Sequence, residues 1–478
     1  MKIQFHATLI SYFLDRQSNK YLKRFSNELF IDDDMLYTFI IINYFKFTKK
    51  VVVIFMRLSK IEVKNFKTFK DVSVEFNKSN LLIGSCAAGK SNFVEIFEFL
   101  KDLSQDFDKA YRKHGGPYLK NLNLNSDDNP TCLKVSFDDE EFGGIGLGLS
   151  DLKKELKENE SITLQFRDFF YEICVNFKEW DYEILSERLV YNFDVCKFSE
   201  VDFEIISQNT LYINNIHGEF TAQLKKEEEY FTITNLIPEA MLDVVTNNFK
   251  LRKIPLINSP LSSFPIPLEF TFKDIECYNF NPQFSKGFSE INGDNNLAKY
   301  GENLAAILNK IFKDEDNKRK FLNLVNDLLP YIEDIGINQL NDNQMMYSIT
   351  EVNNMIEIPS FFISDGTSNV ISLIVSLYFD DSRYLFIEEP ERNIHPSLLS
   401  KVVDMIGEAS KNKQIFVTTH SPEILKYMDL NDVLFISKDG EGFSKITKPV
   451  NNETIAPFIE ELGIDKIFID NYLEWEDE

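Results

Sequence analysis

The run Gly84-Ser85-Cys86-Ala87-Ala88-Gly89-Lys90-Ser91 has the residue types and spacing to hold a chain of phosphates. It follows a short apolar run, Asn80-Leu81-Leu82-Ile83, and precedes Asn92-Phe93-Val94-Glu95-Ile96-Phe97, which has the spacing of an amphipathic helix. Glycines at both ends let the backbone wrap closely, so that its N–H groups point at phosphate oxygens. A helix starting at the loop adds the partial positive charge of its N-terminus. Lys90 can reach the β- and γ-phosphates, and Ser91 can ligate Mg2+. The order G-x-x-x-x-G-K-S/T between strand and helix is read as a phosphate-binding loop for ATP with Mg2+, built from residues 84–91 together with Asn92.

Three further runs could complete that chemistry. Tyr384-Leu385-Phe386-Ile387 reads as a buried strand ending in Glu388-Glu389-Pro390-Glu391. One strand-end carboxylate can hold the Mg2+ shell and the next can orient an attacking water. Glu388 is therefore assigned to the metal beside Ser91, and Glu389 to the water. Two adjacent acids can also be a solvated strand end, but the run PERNIHP, from Pro390 to Pro396, follows at once. The next strand, Gln414-Ile415-Phe416-Val417, ends in Thr418-Thr419-His420. His420 can hydrogen-bond a γ-phosphate and sense its loss. A lone histidine is more often structural, yet this one follows the acidic strand by one helix-length crossover, residues 397–411, the spacing of a βαβ unit. Ahead of both stands Ser364-Asp365-Gly366-Thr367, then a helix-like stretch to residue 378. Alone it is an ordinary turn and helix cap. As a helix start, Ser364, Gly366 and the backbone amides can form a second phosphate-binding end.

In this order the four motifs resemble those of ABC-type P-loop ATPases in the RecF/SMC/OLD branch. Ser364-Asp365-Gly366-Thr367 is similar to the ABC signature, and PERNIHP to the D-loop of the RecF/OLD proteins, with His395 where many ABC proteins place an acid. Tyr278-Asn279-Phe280-Asn281-Pro282 and Gly301-Glu302-Asn303-Leu304-Ala305-Ala306 look like linker and helix-start segments of the same branch. The resemblance covers nearly all of residues 56–478. It implies an α/β fold: a P-loop NTPase with an ABC-type head, a mixed or parallel core sheet, an antiparallel β-lobe and helical insertions. It also implies one ATPase domain over 56–478, with a P-loop and β-lobe part at 56–300, a helical segment at 301–345 and a signature, acidic-strand and histidine part at 346–478. In such proteins the signature faces the nucleotide of the other subunit, so a homodimer or higher homo-oligomer is expected. The loop departs from the branch, whose members are richer in Gly and Asn where Cys86, Ala87 and Ala88 stand here. Alternating runs over 162–235 fit β-lobe strands, and 101–125 and 302–332 read as helical.

The bulk of the chain narrows the function. It has 478 residues, 44% of them hydrophobic, and a formal net charge of −25. That charge opposes non-specific attraction to nucleic acid and anionic membranes. Local basic clusters remain at Lys250, Arg252 and Lys253 and at Lys318, Arg319 and Lys320, so DNA is left open but not indicated. The 44 phenylalanines are read as AT-rich coding. Five scattered cysteines without a CxxC pair suggest a reduced, cytoplasmic chain with no metal cluster. No apolar run reaches the roughly 18 residues of a membrane span. Residues 1–55 differ from the rest and are read as a leader, with translation starting at Met56; the alternative is a genuine N-terminal partner-binding segment. No heptad run is long enough for SMC-type arms, and the 58 residues after His420 (478 − 420) leave little room for a TOPRIM nuclease domain. The expected function is an ATP-hydrolysing dimer switch that controls a separate effector protein, in anti-phage defence. The alternatives are a non-catalytic scaffold that uses ATP to hold a toxin partner, and a RecF-like DNA-repair clamp, against which the acidity counts.

Overall fold

The computed structural model describes residues 51–53, 56–120, 129–138, 145–149, 161–179, 181–198, 203–227, 231–237, 239, 242, 255–259, 268–290 and 296–451. Leader residues 1–50 and the cluster Lys250, Arg252 and Lys253 lie outside the described residues. Where the sequence suggests one domain over 56–478, the chain divides into two compact units.

One unit takes in Leu58–Val135, Asn176–Tyr182 and the chain from Leu268 onward, and it carries all four motifs. Its core is a six-stranded sheet in the order Ile275–Tyr278, Tyr384–Glu388, Gln414–Thr419, Ser79–Gly84, Val433–Lys438, Ser444–Thr447. The first five strands are parallel and the last is antiparallel. A parallel strand buried on both faces reads as an unbroken apolar run. Leu81, Ile83, Leu385, Ile387, Ile415 and Val417 are accordingly buried. Registers pair Glu388 with Thr418, Thr419 with Ile83, and Ile436 with Gly84, so the three motif-bearing strands end level.

Helix Lys90–Gln105 packs on this sheet through aromatic rings. Phe97 stacks on Phe386 and Phe386 on Phe416, both at 4.3 Å, and Phe76 meets Phe416 edge-on at 5.0 Å. Some of the phenylalanine enrichment is thus core material. Helix Asp365–Tyr378 is buried from Thr367 to Leu377, and its serines 368, 372 and 376 lie fully inside. Ser372 Oγ donates to Ser368 O, and Ser376 Oγ to Leu373 O, which satisfies their hydroxyls without water.

Helices Leu304–Ile311 and Glu315–Leu328 occupy the first part of the segment expected to be helical over 301–345. From Ile332 the chain is strand instead: Ile332–Asn341, Gln344–Glu351 and Asn354–Pro359 form an antiparallel meander. Met345, Met346, Tyr347 and Ile349 of its central strand are buried, so packing decides the conformation there. The run Lys318, Arg319 and Lys320 sits on the second helix. Lys318 pairs with Asp334 at 3.4 Å and Arg319 with Asp316 at 2.8 Å, which places two of its charges on acids of this chain.

The other unit takes in Ser136–Val175 and Glu183–Pro267. Tyr182–Phe198, Phe203–Ile216 and Glu219–Leu224 pair in sequence as antiparallel strands. Ile145–Leu149 pairs with the long strand Ser161–Phe177 on one side and with Val51–Val53 on the other, so three leader residues are strand. Glu187 is fully buried here, and burial raises its pKa. It accepts from Tyr171 Oη and Asn215 Nδ2 at 2.7 Å and from Leu256 N at 2.8 Å, which fastens residues 256–258 to the strands. Cys86, Cys196 and Cys277 are free thiols.

Candidate functional site

The loop after strand Ser79–Gly84 exposes Ser85, Cys86 and Ala87 and buries Ala88 and Lys90. Gly89 has φ +118°, a left-handed position that suits glycine, and it is the N-cap of the following helix. That helix has no side-chain cap and no acid in its first turn, so its N-terminal charge is left for an anion. Ser444 braces the loop from behind. Its Oγ donates to Ala88 O at 2.6 Å and lies 2.8 Å from Thr68 Oγ1. Asn92, expected among the nucleotide-binding residues, donates its side-chain amide to Thr68 Oγ1 at 3.0 Å and so belongs to this brace.

Lys90 Nζ donates to Gly84 O at 2.6 Å and to Ser85 O at 2.9 Å, and it lies 3.1 Å from His420 Nδ1. Burial pulls its ammonium down to about 8, against Cys86 and the carboxylates of Glu389, Glu391 and Glu388, which pull the other way. His420 is lowered from its ordinary value by burial and then by the Lys90 charge. A neutral ring fits its partners: Nδ1 accepts from Lys90, and Nε2 carries the proton toward Glu389 Oε1 at 3.3 Å. Cys86 Sγ is 3.9 Å from the same Nδ1.

Ser91 Oγ donates to Glu388 Oε2 at 2.8 Å, and Asn279 Nδ2 donates to Glu388 Oε1 at 3.2 Å. A hydroxyl and a carboxylate in contact are hard oxygen donors, and this chemistry fits Mg2+. Glu389 Oε2 accepts from Arg392 Nη2 at 2.6 Å and Nε at 3.0 Å. Arg392 Nη1 donates to Asn279 Oδ1 at 3.3 Å. The contacts close into a ring: Lys90, His420, Glu389, Arg392, Asn279, Glu388 and Ser91, which adjoins Lys90. Parallel strands ending level bring these groups together although Lys90 and His420 are 330 positions apart.

Sequence reasoning passed over Arg392, Asn279, Thr68, Ser444 and Glu391. Glu391 was the most visible, being the third acid of the run. It accepts from Thr419 Oγ1, while its other oxygen is buried without a hydrogen-bond partner. Burial raises its pKa, with Glu389 adding to the effect. His395 does not join the ring; its Nδ1 caps the turn Pro396–Leu398 by accepting from Ser397 N at 3.2 Å.

Ser364 and Gly366 stand apart from that ring. Ser364 is the exposed N-cap of helix Asp365–Tyr378, and its Oγ accepts from Thr367 N at 3.1 Å. Asp365 would oppose an anion there, but Lys286 Nζ neutralises it at 2.5 Å. Lys286 is a basic residue at this helix start that the sequence did not single out.

A family model described as AAA ATPase domain matches residues 56–425. An ATP/GTP phosphatase of Helicobacter pylori is 21% identical over 78% of this chain and 87% of its own length. Old nuclease of Escherichia phage P2 is 22% identical over 85% of this chain, which spans only 62% of that protein. A solved Smc head bound to the C-winged helix domain of ScpA aligns over 82% of this chain and 97% of its own, at 14% identity and a TM-score of 0.43. With its residues 56–425 matched, the chain belongs to the AAA ATPase domain family, as an ABC-type P-loop ATPase of the RecF/SMC/OLD branch.

Proposed function

We propose that this ATPase is a nucleotide-gated switch. Lys90 and the loop Gly84–Asn92 hold the phosphates, Ser91 and Glu388 hold Mg2+, Glu389 orients the attacking water, and His420 reads the γ-phosphate. The observation that supports this most is the ring of polar contacts joining loop, acid pair and histidine. Bound Mg2+ would neutralise charge on the phosphate oxygens. Two Arg392 donors on Oε2, with His420 Nε2 3.3 Å from Oε1, hold the Glu389 carboxylate, as a water-orienting group requires.

In the same reading, ATP joins two heads, with the Ser364 helix of each facing the phosphates held by the other. Separation after hydrolysis then acts on a separate effector protein, in anti-phage defence. The likeness to Old nuclease supports a nuclease-type effector. The test is Glu389→Gln, assayed for ATP binding and turnover. Binding should persist, turnover should fall by roughly 10²–10⁴-fold, the worth of a positioned base, and the ATP-bound dimer should accumulate. Unchanged turnover would remove Glu389 from its role. A scaffold that binds ATP and hydrolyses little is favoured by one feature, the non-glycine Ala87 at φ +62° in the loop. A wild-type chain that binds ATP but shows no turnover above background would select it.

A further inference from the structure

The turn after the acidic strand holds Glu389 in an uncommon conformation. Its φ is +48°, a left-handed position that costs a non-glycine residue about 1–3 kcal/mol. Its N–H donates to Thr418 O at 2.8 Å, and its own carbonyl accepts from Arg392 N at 3.0 Å. The backbone is thus held from both ends, and the side chain is held as well. Arg392 Nε and Nη2 both donate to Glu389 Oε2, which leaves Oε1 toward His420. The third guanidinium nitrogen reaches Asn279, which itself donates to Glu388. A planar fork of fixed geometry can do this, where a single ammonium cannot span both partners.

The same arginine is fixed from the other side through its backbone. Asn369 Nδ2 donates to Arg392 O at 2.6 Å. At Gly366 a Cβ would lie 2.4 Å from Asn393 O, so the helix and the turn touch backbone to backbone. Gly366 and Asn369 belong to the start of helix Asp365–Tyr378, whose cap is Ser364. Arg392 therefore meets Glu389 and Asn279 with its side chain and the signature helix with its main chain. A simple exposed ion pair would contribute little, and it would not need the second bond to Asn279 or the fastening to a buried helix.

We propose that Arg392 is a positioning residue: it orients Glu389 for the attacking water and ties that orientation to the signature helix of its own head. This rests on Glu389 as the water-orienting group. The experiment measures kcat, KM and MgATP affinity in the full chain for Arg392→Ala, Arg392→Lys, Asn369→Ala, Glu389→Gln and the double variant Arg392→Ala/Glu389→Gln. Arg392→Ala should lower kcat about 10- to 100-fold, as a small misplacement of a reacting group does, with ATP affinity within about twofold of wild type. Arg392→Lys should recover part of the loss. Asn369→Ala should lower kcat in the same direction. In the Glu389→Gln background, Arg392→Ala should lower turnover no further, because it acts through the group already removed. Wild-type kcat in Arg392→Ala overturns the proposal. So does an undiminished extra loss in the double variant, or a lysine variant no better than alanine with both unfolding earlier. Wild-type kcat in Asn369→Ala overturns the tie to the helix. Wild-type turnover in Glu389→Gln alone instead removes the water assignment beneath the proposal, a result read independently of every Arg392 variant.

Discussion

Lys90 is poised between two sets of partners. It is a buried ammonium held by two loop carbonyls and one imidazole, and burial has drawn its pKa to about 8. Phosphate oxygens would offer it stronger, charge-assisted bonds, each worth about 1.5–3 kcal/mol. Lys90→Ala should therefore weaken ATP binding by about 10- to 100-fold and abolish Mg2+-dependent turnover. Labelled-nucleotide binding and a phosphate-release assay check both, and wild-type affinity in this variant refutes the phosphate role. The pH dependence has a definite sign. A lysine must be charged to hold phosphate, so affinity should fall as pH rises through about 8 in the wild type. Lys90→Ala should lack that fall.

Helix Lys90–Gln105 carries the loop at one end and a charge network along its side. His114 is buried, donates from Nδ1 to Glu95 Oε1 (3.3 Å) and from Nε2 to Asp102 Oδ2 (2.7 Å), and packs edge-on to Phe99. Lys67 adds a second partner for Glu95, and Lys113 for Asp102. Burial alone would lower the His114 pKa, but the two carboxylates outweigh it and leave the pKa above the ordinary 6.5. A raised histidine stabilises the fold fully below its unfolded pKa and loses that contribution as pH rises through its folded value. Unfolding temperature should accordingly fall as pH is raised from 6.5 through the neutral range, and His114→Gln should flatten that part of the curve. Parallel curves for the two proteins would show that His114 carries no linked proton.

At the scale of the whole molecule the question is whether one active site needs two chains. Ser364 lies 274 residues beyond Lys90 (364 − 90), is exposed and caps a buried helix, so its outward face is available to a second copy. A net charge of −25 on each chain opposes that approach, and salt relieves it; at physiological ionic strength the Debye length is about 8 Å. Ser364→Arg should leave ATP affinity nearly intact while abolishing ATP-dependent dimerisation and hydrolysis. Mixing it with Lys90→Ala lets both defects fall on one composite site and leaves the other whole, so partial activity should return. Sedimentation showing normal dimers of Ser364→Arg, with normal turnover, would remove the trans arrangement.

The sequence by itself determined the parts whose physics is local. The loop, the acidic strand end and the strand ending at His420 were legible because each is a short run in which strand, turn and helix follow one another. The β-lobe strands were legible from alternation, and helices Leu304–Ile311 and Glu315–Leu328 from their apolar period. Tertiary structure alone decided which side chains meet. Asn279 and Arg392 lie 113 positions apart, and Ser444 and Ala88 lie 356 apart. They join because sheet order sets neighbouring strand ends level, and no local period encodes sheet order. The strand from Ile332 escaped the helical reading of 301–345 for a related reason. Its conformation is set by the buried strand Gln344–Glu351 beside it, and a partner in space leaves no mark on the run it selects.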